Sequence, residues 1–321
     1  MITKTSNFMS LIKMFDFYLK YFDELTSYFT EGNKRISYQY WFTSIILIVF
    51  AYLKTSKKSS LLKYVFNRKV WASRSAFIDY QVFLSNLLFK LIIIVPIFPL
   101  KISFSYEVEL WLINQLDYFF PVSGSLMIIL YSFTLIIAYD FMTYLIHSLF
   151  HRIPVLWNFH KIHHSATVLN PVTQYRIHPV ELLINNLGEF IAYGLITGLF
   201  MYMNHGFIEP ITYYGINIIS IIFFSYGASL RHSHIKLKYY TWIEHIFLSP
   251  FQHQIHHSIE KKHYNKNFGS KLAIWDKLFK TLLTSKNVTR LSFGIENTPK
   301  SRYNTLWNVL IQPFKELFHS K

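Results

Sequence analysis

The chain has 321 residues, of which 52% are hydrophobic, 19% aromatic and only 15% charged, and its mean hydropathy is +0.24. A soluble domain carries about a quarter charged residues, so this composition excludes an ordinary water-soluble fold and points to segments dissolved in lipid. The lack of cysteine excludes disulfides, iron–sulfur clusters and thiolate zinc sites, and the net charge of +15 belongs to a membrane surface rather than to nucleic acid, because the basic residues follow the hydrophobic runs.

In chain order, residues 1–36 mix lysines and acids with aromatic residues and lack the uninterrupted apolar core of a signal peptide, so they read as an amphipathic interfacial helix. Five candidate spans come next: Ser37–Leu53, Val82–Leu100 (apolar except for Lys90), Ser125–Phe150 (with Asp140 and His147 as polar intruders), Glu181–Met203 and Phe207–Ala228. Lys54, Lys57, Lys58, Lys63, Arg68, Lys69 and Arg74 crowd the first connection, while Lys101 is the basic residue of the second. By the positive-inside rule, residues 54–81, 151–180 and the C-terminal region share the cytosolic side, and residues 286–321 read as a basic cytosolic tail. The expected fold is therefore all-α, an integral membrane helical bundle of four to five spans with a cytosolic helical cap.

That cap collects the histidines. His147 and His151 are spaced i, i+4; His160, His163 and His164 are spaced i, i+3, i+4; His253, His256 and His257 repeat the second pattern. Residues three and four apart share a helix face, so each box presents imidazoles in one direction. His178 and His232 fall on the same side, with His234 beside them. About ten nitrogens exceed the needs of one ion and suit two six-coordinate ions. His205, His245, His263 and His319 lie outside any box and read as interfacial residues. Asp140, two turns before His147, reads as a group that orients a ligand imidazole from behind; Glu189 has no supporting motif.

The stretch DFMTYLIHSLFHRIPVLWNFHKIHHS (Asp140–Ser165) resembles the fatty acid hydroxylase/sterol desaturase superfamily of membrane di-iron enzymes, whose HxxxH and HxxHH boxes are joined by a short loop with a tryptophan, here Trp157. RIHPVE (Arg176–Glu181) looks like the family's Arg-x-His-Pro element, and HQIHHSIEKKHYNKNFGSKLAIWDKLF is similar to its last HxxHH box with the subsequent Asn-Phe-Gly and Trp-Asp motifs. Two departures stand out: Ser148 replaces a frequent arginine, and His234 stands where asparagine is common. The resemblance covers residues 125–285 and implies that 37–285 form a membrane-embedded hydroxylase or desaturase domain. It implies two iron(II) ions, replaceable by zinc in a purified sample, that use O2 and electrons from a reductase, cytochrome or ferredoxin to oxidise a C–H bond of a sterol, fatty acyl or alkyl lipid. The competing readings are a membrane haem- or metal-binding electron carrier and a metal transporter. A metalloprotease is disfavoured because no HExxH is present.

Overall fold

A computed structural model describes residues 2–55, 59–116, 124–213, 216–296 and 298–319. Lys57 and Lys58 of the basic connection, and the His319 side chain, lie outside the described residues. The fold is helical, and its frame is built from α1 (Ile2–Thr30), α2 (Trp41–Leu53), α3 (Arg74–Gln115), α4 (Gly124–Arg152), α5 (Pro154–His164), α6 (Pro179–Asn204), α7 (Ile218–Ser225), α8 (Pro250–His256), α9 (Ile274–Leu278) and α10 (Leu306–His319).

Among the described residues, three helices are long and apolar enough to cross a membrane: α3, α4 and α6. That is fewer than the four to five spans expected. The candidate at Ser37–Leu53 becomes α2, whose 13 residues rise only about 20 Å against a hydrocarbon core of about 30 Å. Helix α2 packs on residues 229–237, joining Ala51 to Leu230, Ile235 and Leu237, with Ser44 Oγ 2.8 Å from Ser229 Oγ. The candidate at Phe207–Ala228 is broken. Gly206 has a φ of +144°, Pro210 lacks a donor and disfavours helix before it, and a two-residue hairpin (Thr212–Tyr213 with Ile216–Asn217) precedes the eight-residue α7. The segment still returns along α4, since the Ile211 amide donates to Ser132 Oγ at 2.7 Å and Ile222 and Phe224 share a cavity wall with Phe133 and Ile136.

The 42 residues of α3 would span about 63 Å as a straight helix, roughly twice the hydrocarbon thickness. Along its first half Asp79 meets Arg176 and Asn86 Nδ2 donates to the Ile177 carbonyl at 2.7 Å. Beyond a π-helical stretch at Lys90–Ile94, α3 runs alongside α6, approaching so closely at Gly198 that an added Cβ would lie 2.6 Å from the Ser105 carbonyl. Lys90, the charge inside an apolar run, forms an ion pair with Glu24 of α1. The N-terminal segment is thus docked: Tyr28 packs edge-on against Phe83 and Tyr175, with centroids at 4.9 and 5.0 Å.

The basic segment 286–321 contains α10. Helix α10 lies on α5, with Phe314 5.3 Å from Phe159 and Glu316 bound to Lys161 and Arg302. The buried Arg176 guanidinium ties three distant segments together. It donates to Asp79 Oδ1 (3.1 Å), the Ile162 carbonyl (3.0 Å), Ser165 Oγ (2.8 Å) and the Tyr303 carbonyl (3.3 Å), so that α3, the end of α5 and the C-terminal region share one side chain.

Candidate metal centre

Nine of the eleven histidines expected as ligands converge, and they do so as two groups. His147, His151, His160, His164 and His256 form one; His163, His232, His253 and His257 form the other. Within each group one nitrogen per ring lies within 4.8 Å of all the others. The sorting comes from helical geometry. At about 100° per residue, positions i and i+4 project almost alike, whereas neighbours such as His163 and His164 diverge. Each HxxHH box therefore splits: the pairs His160/His164 and His253/His257 go to opposite groups, and the remaining His163 and His256 cross to the other group.

The spacing of the nitrogens fits metal ions. His232 Nε2 lies 3.0 Å from His163 Nε2, 3.1 Å from His257 Nε2 and 3.0 Å from His253 Nε2, and His160 and His164 Nε2 are 3.2 Å apart. A metal–nitrogen bond of about 2.1 Å gives polyhedron edges of about 3.0 Å in an octahedron and about 3.4 Å in a tetrahedron. A neutral imidazole has one N–H, so His232 Nε2 cannot satisfy three facing nitrogens by hydrogen bonding; a cation among the lone pairs can. The buried Nε2 atoms of His147, His151 and His256 have no hydrogen-bond partner. Five or four imidazoles this close leave no flat gap for a porphyrin.

Partners behind the rings set their tautomers. His147 Nδ1–H donates to the Phe268 carbonyl and His256 Nδ1–H to the Lys266 carbonyl, both at 2.8 Å, which directs each Nε2 lone pair into the five-histidine group. His160 Nδ1 is 2.8 Å from the buried Glu181 Oε1. Burial strongly disfavours imidazolium: it pushes His160 down to about 3 and His163 to about 4, and holds His164, His232, His253, His256 and His257 well below the usual range. The charges of Arg35 and Arg231 push His232 further the same way. Neutral imidazole is the form that binds a metal. Trp157 and Phe268 cover the first group, their rings each 5.0 Å from His151.

The loop after the last box exists to place those carbonyls. Asp276 accepts from the Phe268 and Gly269 amides, both at 2.8 Å, and Asn267 holds the Gln252 and Leu283 carbonyls. A Cβ at Gly269 would lie 2.5 Å from the Leu272 carbonyl. Asp140 belongs to this same clamp and touches no imidazole. Its carboxylate accepts from the Lys271 amide (2.7 Å), the Leu272 amide (3.0 Å) and Trp275 Nε1 (3.0 Å). Asp140 thus pins the loop that also carries the Phe268 carbonyl facing His147.

His178 and His234 are not brought into either group. His178 caps α6, its Nδ1 accepting from the Val180 amide at 3.1 Å, and its Nε2 faces the Leu310 carbonyl at 3.1 Å. His234 Nε2 meets the Tyr64 carbonyl at 2.6 Å, and its ring packs on Tyr64. Ser148, at the position of a frequent family arginine, bonds back to the Leu145 carbonyl of its own helix. Spacing alone does not single out Glu181 as a histidine partner. The signal that could have found it is its place three residues after His178 in the Arg-x-His-Pro-Val-Glu element, an acid on the first turn of a span beside a box.

Residues 132–281 match the fatty acid hydroxylase family. An alkylglycerol monooxygenase of Caenorhabditis elegans is 30% identical over 54% of this chain and 32% of its own length. An ornithine lipid hydroxylase OlsE of Rhizobium tropici is 28% identical over 50% of this chain and 44% of its own, and a fatty acid hydroxylase vlmA of a Lecanicillium species is 28% identical over 45% and 40%. The chain thus spans less than half the length of these relatives. No solved structure matches it.

Proposed function

Residues 132–281 match the fatty acid hydroxylase family, and on that premise we propose that the protein is a membrane-bound oxygenase that oxidises a C–H bond of a lipid with O2 and externally supplied electrons. The observation that carries this reading is the convergence of nine imidazoles into a group of five and a group of four. Each group holds one iron ion in this proposal, and iron bound there would supply the activation of O2 and the attack on an unactivated C–H bond. The protein's own residues do the rest. The Phe268 and Lys266 carbonyls and Glu181 orient His147, His256 and His160, and Trp157 and Phe268 keep water from the first group.

The histidine groups lie at the end of the bundle where α4 finishes, α6 begins and the basic residues between α2 and α3 gather, which supports a cytosolic site within reach of a reductase, cytochrome or ferredoxin. Hydroxylation is the favoured outcome, because the matched relatives are named hydroxylases and a monooxygenase. Two measurements test the proposal. Protein purified with iron available should hold close to two ions per chain, with zinc an acceptable substitute because it lies above iron(II) in affinity order. Cells expressing the chain should accumulate a lipid heavier by one oxygen. A metal content near zero, or an unchanged lipid profile with a full metal complement, would remove the oxygenase reading.

A further inference from the structure

Arg231, the residue before His232, forms part of the wall of a cavity of about 690 Å³, a size suited to a small-molecule ligand. Most of that wall is apolar, contributed by Phe133, Ile136 and Ile137 of α4, Ile222 and Phe223 of α7, and Trp242. The rim is apolar as well: Phe133, Ile222 and Trp242 are 53%, 51% and 68% exposed. Phe133 lies on α4, one of the three helices long and apolar enough to cross a membrane, and Trp242 is the residue type that settles at a membrane interface.

The polar end of the cavity is cationic. Arg35, Arg231 and Lys271 all line it, and their charges act on one another. Arg35 Nη2 is anchored 3.1 Å from Ser270 Oγ, next to Lys271. Three acids are within electrostatic reach, Asp140, Glu189 and Asp276; the Asp140 carboxylate already accepts from three N–H groups, and Asp276 from two amides and the Thr281 hydroxyl. Arg231 is 4% exposed and its Nη2 has no hydrogen-bond partner. A buried, incompletely paired guanidinium is costly and is retained where an anion completes it. Guanidinium groups are suited to carboxylate and phosphate because their forked N–H pairs match two oxygens at once.

We propose that this cavity seats an amphiphile with an anionic head, a carboxylate or a phosphate, held by Arg231, Arg35 and Lys271, with its hydrocarbon chain along α4 and α7 toward the bilayer. The inference deepens the oxygenase reading by naming a substrate class, and it is tested by binding so that the two stand or fall separately.

The metal-loaded protein in nanodiscs of phosphatidylcholine is titrated with dodecyl phosphate, dodecanoate, neutral 1-O-dodecylglycerol and inorganic phosphate. At least one anionic amphiphile should bind about tenfold or more tighter than the neutral one, and the preference should weaken as salt rises. Whichever of dodecyl phosphate and dodecanoate binds tighter names the head. Arg231→Gln and Arg35→Gln should each remove most of the preference while metal content stays at the wild-type value; Arg35 is remote in sequence from every box and serves if Arg231→Gln misfolds. Equal affinity for the neutral amphiphile, an unchanged preference in Arg35→Gln, or inorganic phosphate binding as tightly as dodecyl phosphate would overturn the proposal. A chain that binds the anionic amphiphile but holds no metal would refute the oxygenase and leave this site standing.

Discussion

Glu181→Gln separates the two histidine groups with a single atom type. The Glu181 Oε1 lies 2.8 Å from His160 Nδ1, both side chains are buried, and the other carboxylate oxygen has no partner. Glutamine keeps the volume and a neutral acceptor, so the fold is preserved while the charge that raises the basicity of His160 is lost. A partner of this kind is worth about 10–100-fold in metal affinity, or about 1.4–2.7 kcal/mol. His160 belongs to the five-histidine group alone. Chelator competition on the purified protein, with zinc or iron(II), should therefore resolve two steps in the wild type. In the variant one step should weaken by that factor and the other should stay within about twofold, since the Glu181 carboxylate bonds to His160 and to no ring of the four-histidine group. Equal weakening of both steps, or of neither, would refute the assignment of His160 to one site and of Glu181 as its partner.

Three further outcomes rest on the same geometry. His256→Ala and His163→Ala should each reduce the metal content from two ions toward one, at different groups, whereas His234→Ala and His178→Ala should retain both, the latter losing about 1 kcal/mol of stability with the α6 cap; elemental analysis and thermal melts check both statements. Asp140→Asn leaves a neutral amide facing three N–H donors and should lower unfolding stability by about 2–4 kcal/mol, with the metal loss confined to the five-histidine group, and a variant as stable as wild type would sink the clamp. Metal-free protein should lose stability as the pH falls: His160 and His163 titrate near 3 and 4 when folded but near 6.5 when unfolded, so between these values the unfolded chain takes up the protons, at up to about 1.4 kcal/mol per pH unit per histidine. Melts from about pH 7.5 to about pH 4.5 that show a flat midpoint would contradict the burial of these rings.

Much of this architecture is legible in the order of the amino acids, because it depends on local periodicity. Runs of apolar residues as long as a bilayer is thick identify α3, α4 and α6, and the i, i+3, i+4 spacing of the boxes places their imidazoles on shared helix faces. The same local logic fails at Phe207–Ala228, where average hydropathy conceals the backbone consequences of Gly206 and Pro210, and the charge of residues 286–321 gives no sign of the contact between Phe314 and Phe159.

What the sequence by itself determined was the membrane helices, the helical boxes and the class of ligand, since each is set by neighbours within one or two turns. Only the tertiary structure decided that nine histidines divide five and four, that His232 joins them while His178 caps a helix, that Glu181 backs His160, and that Arg35 from the N-terminal region meets Arg231 and Lys271. The reason is that spacing along a helix specifies the direction a side chain takes around its own axis, whereas the partner it finds there depends on which other helix the packing of the whole chain sets opposite.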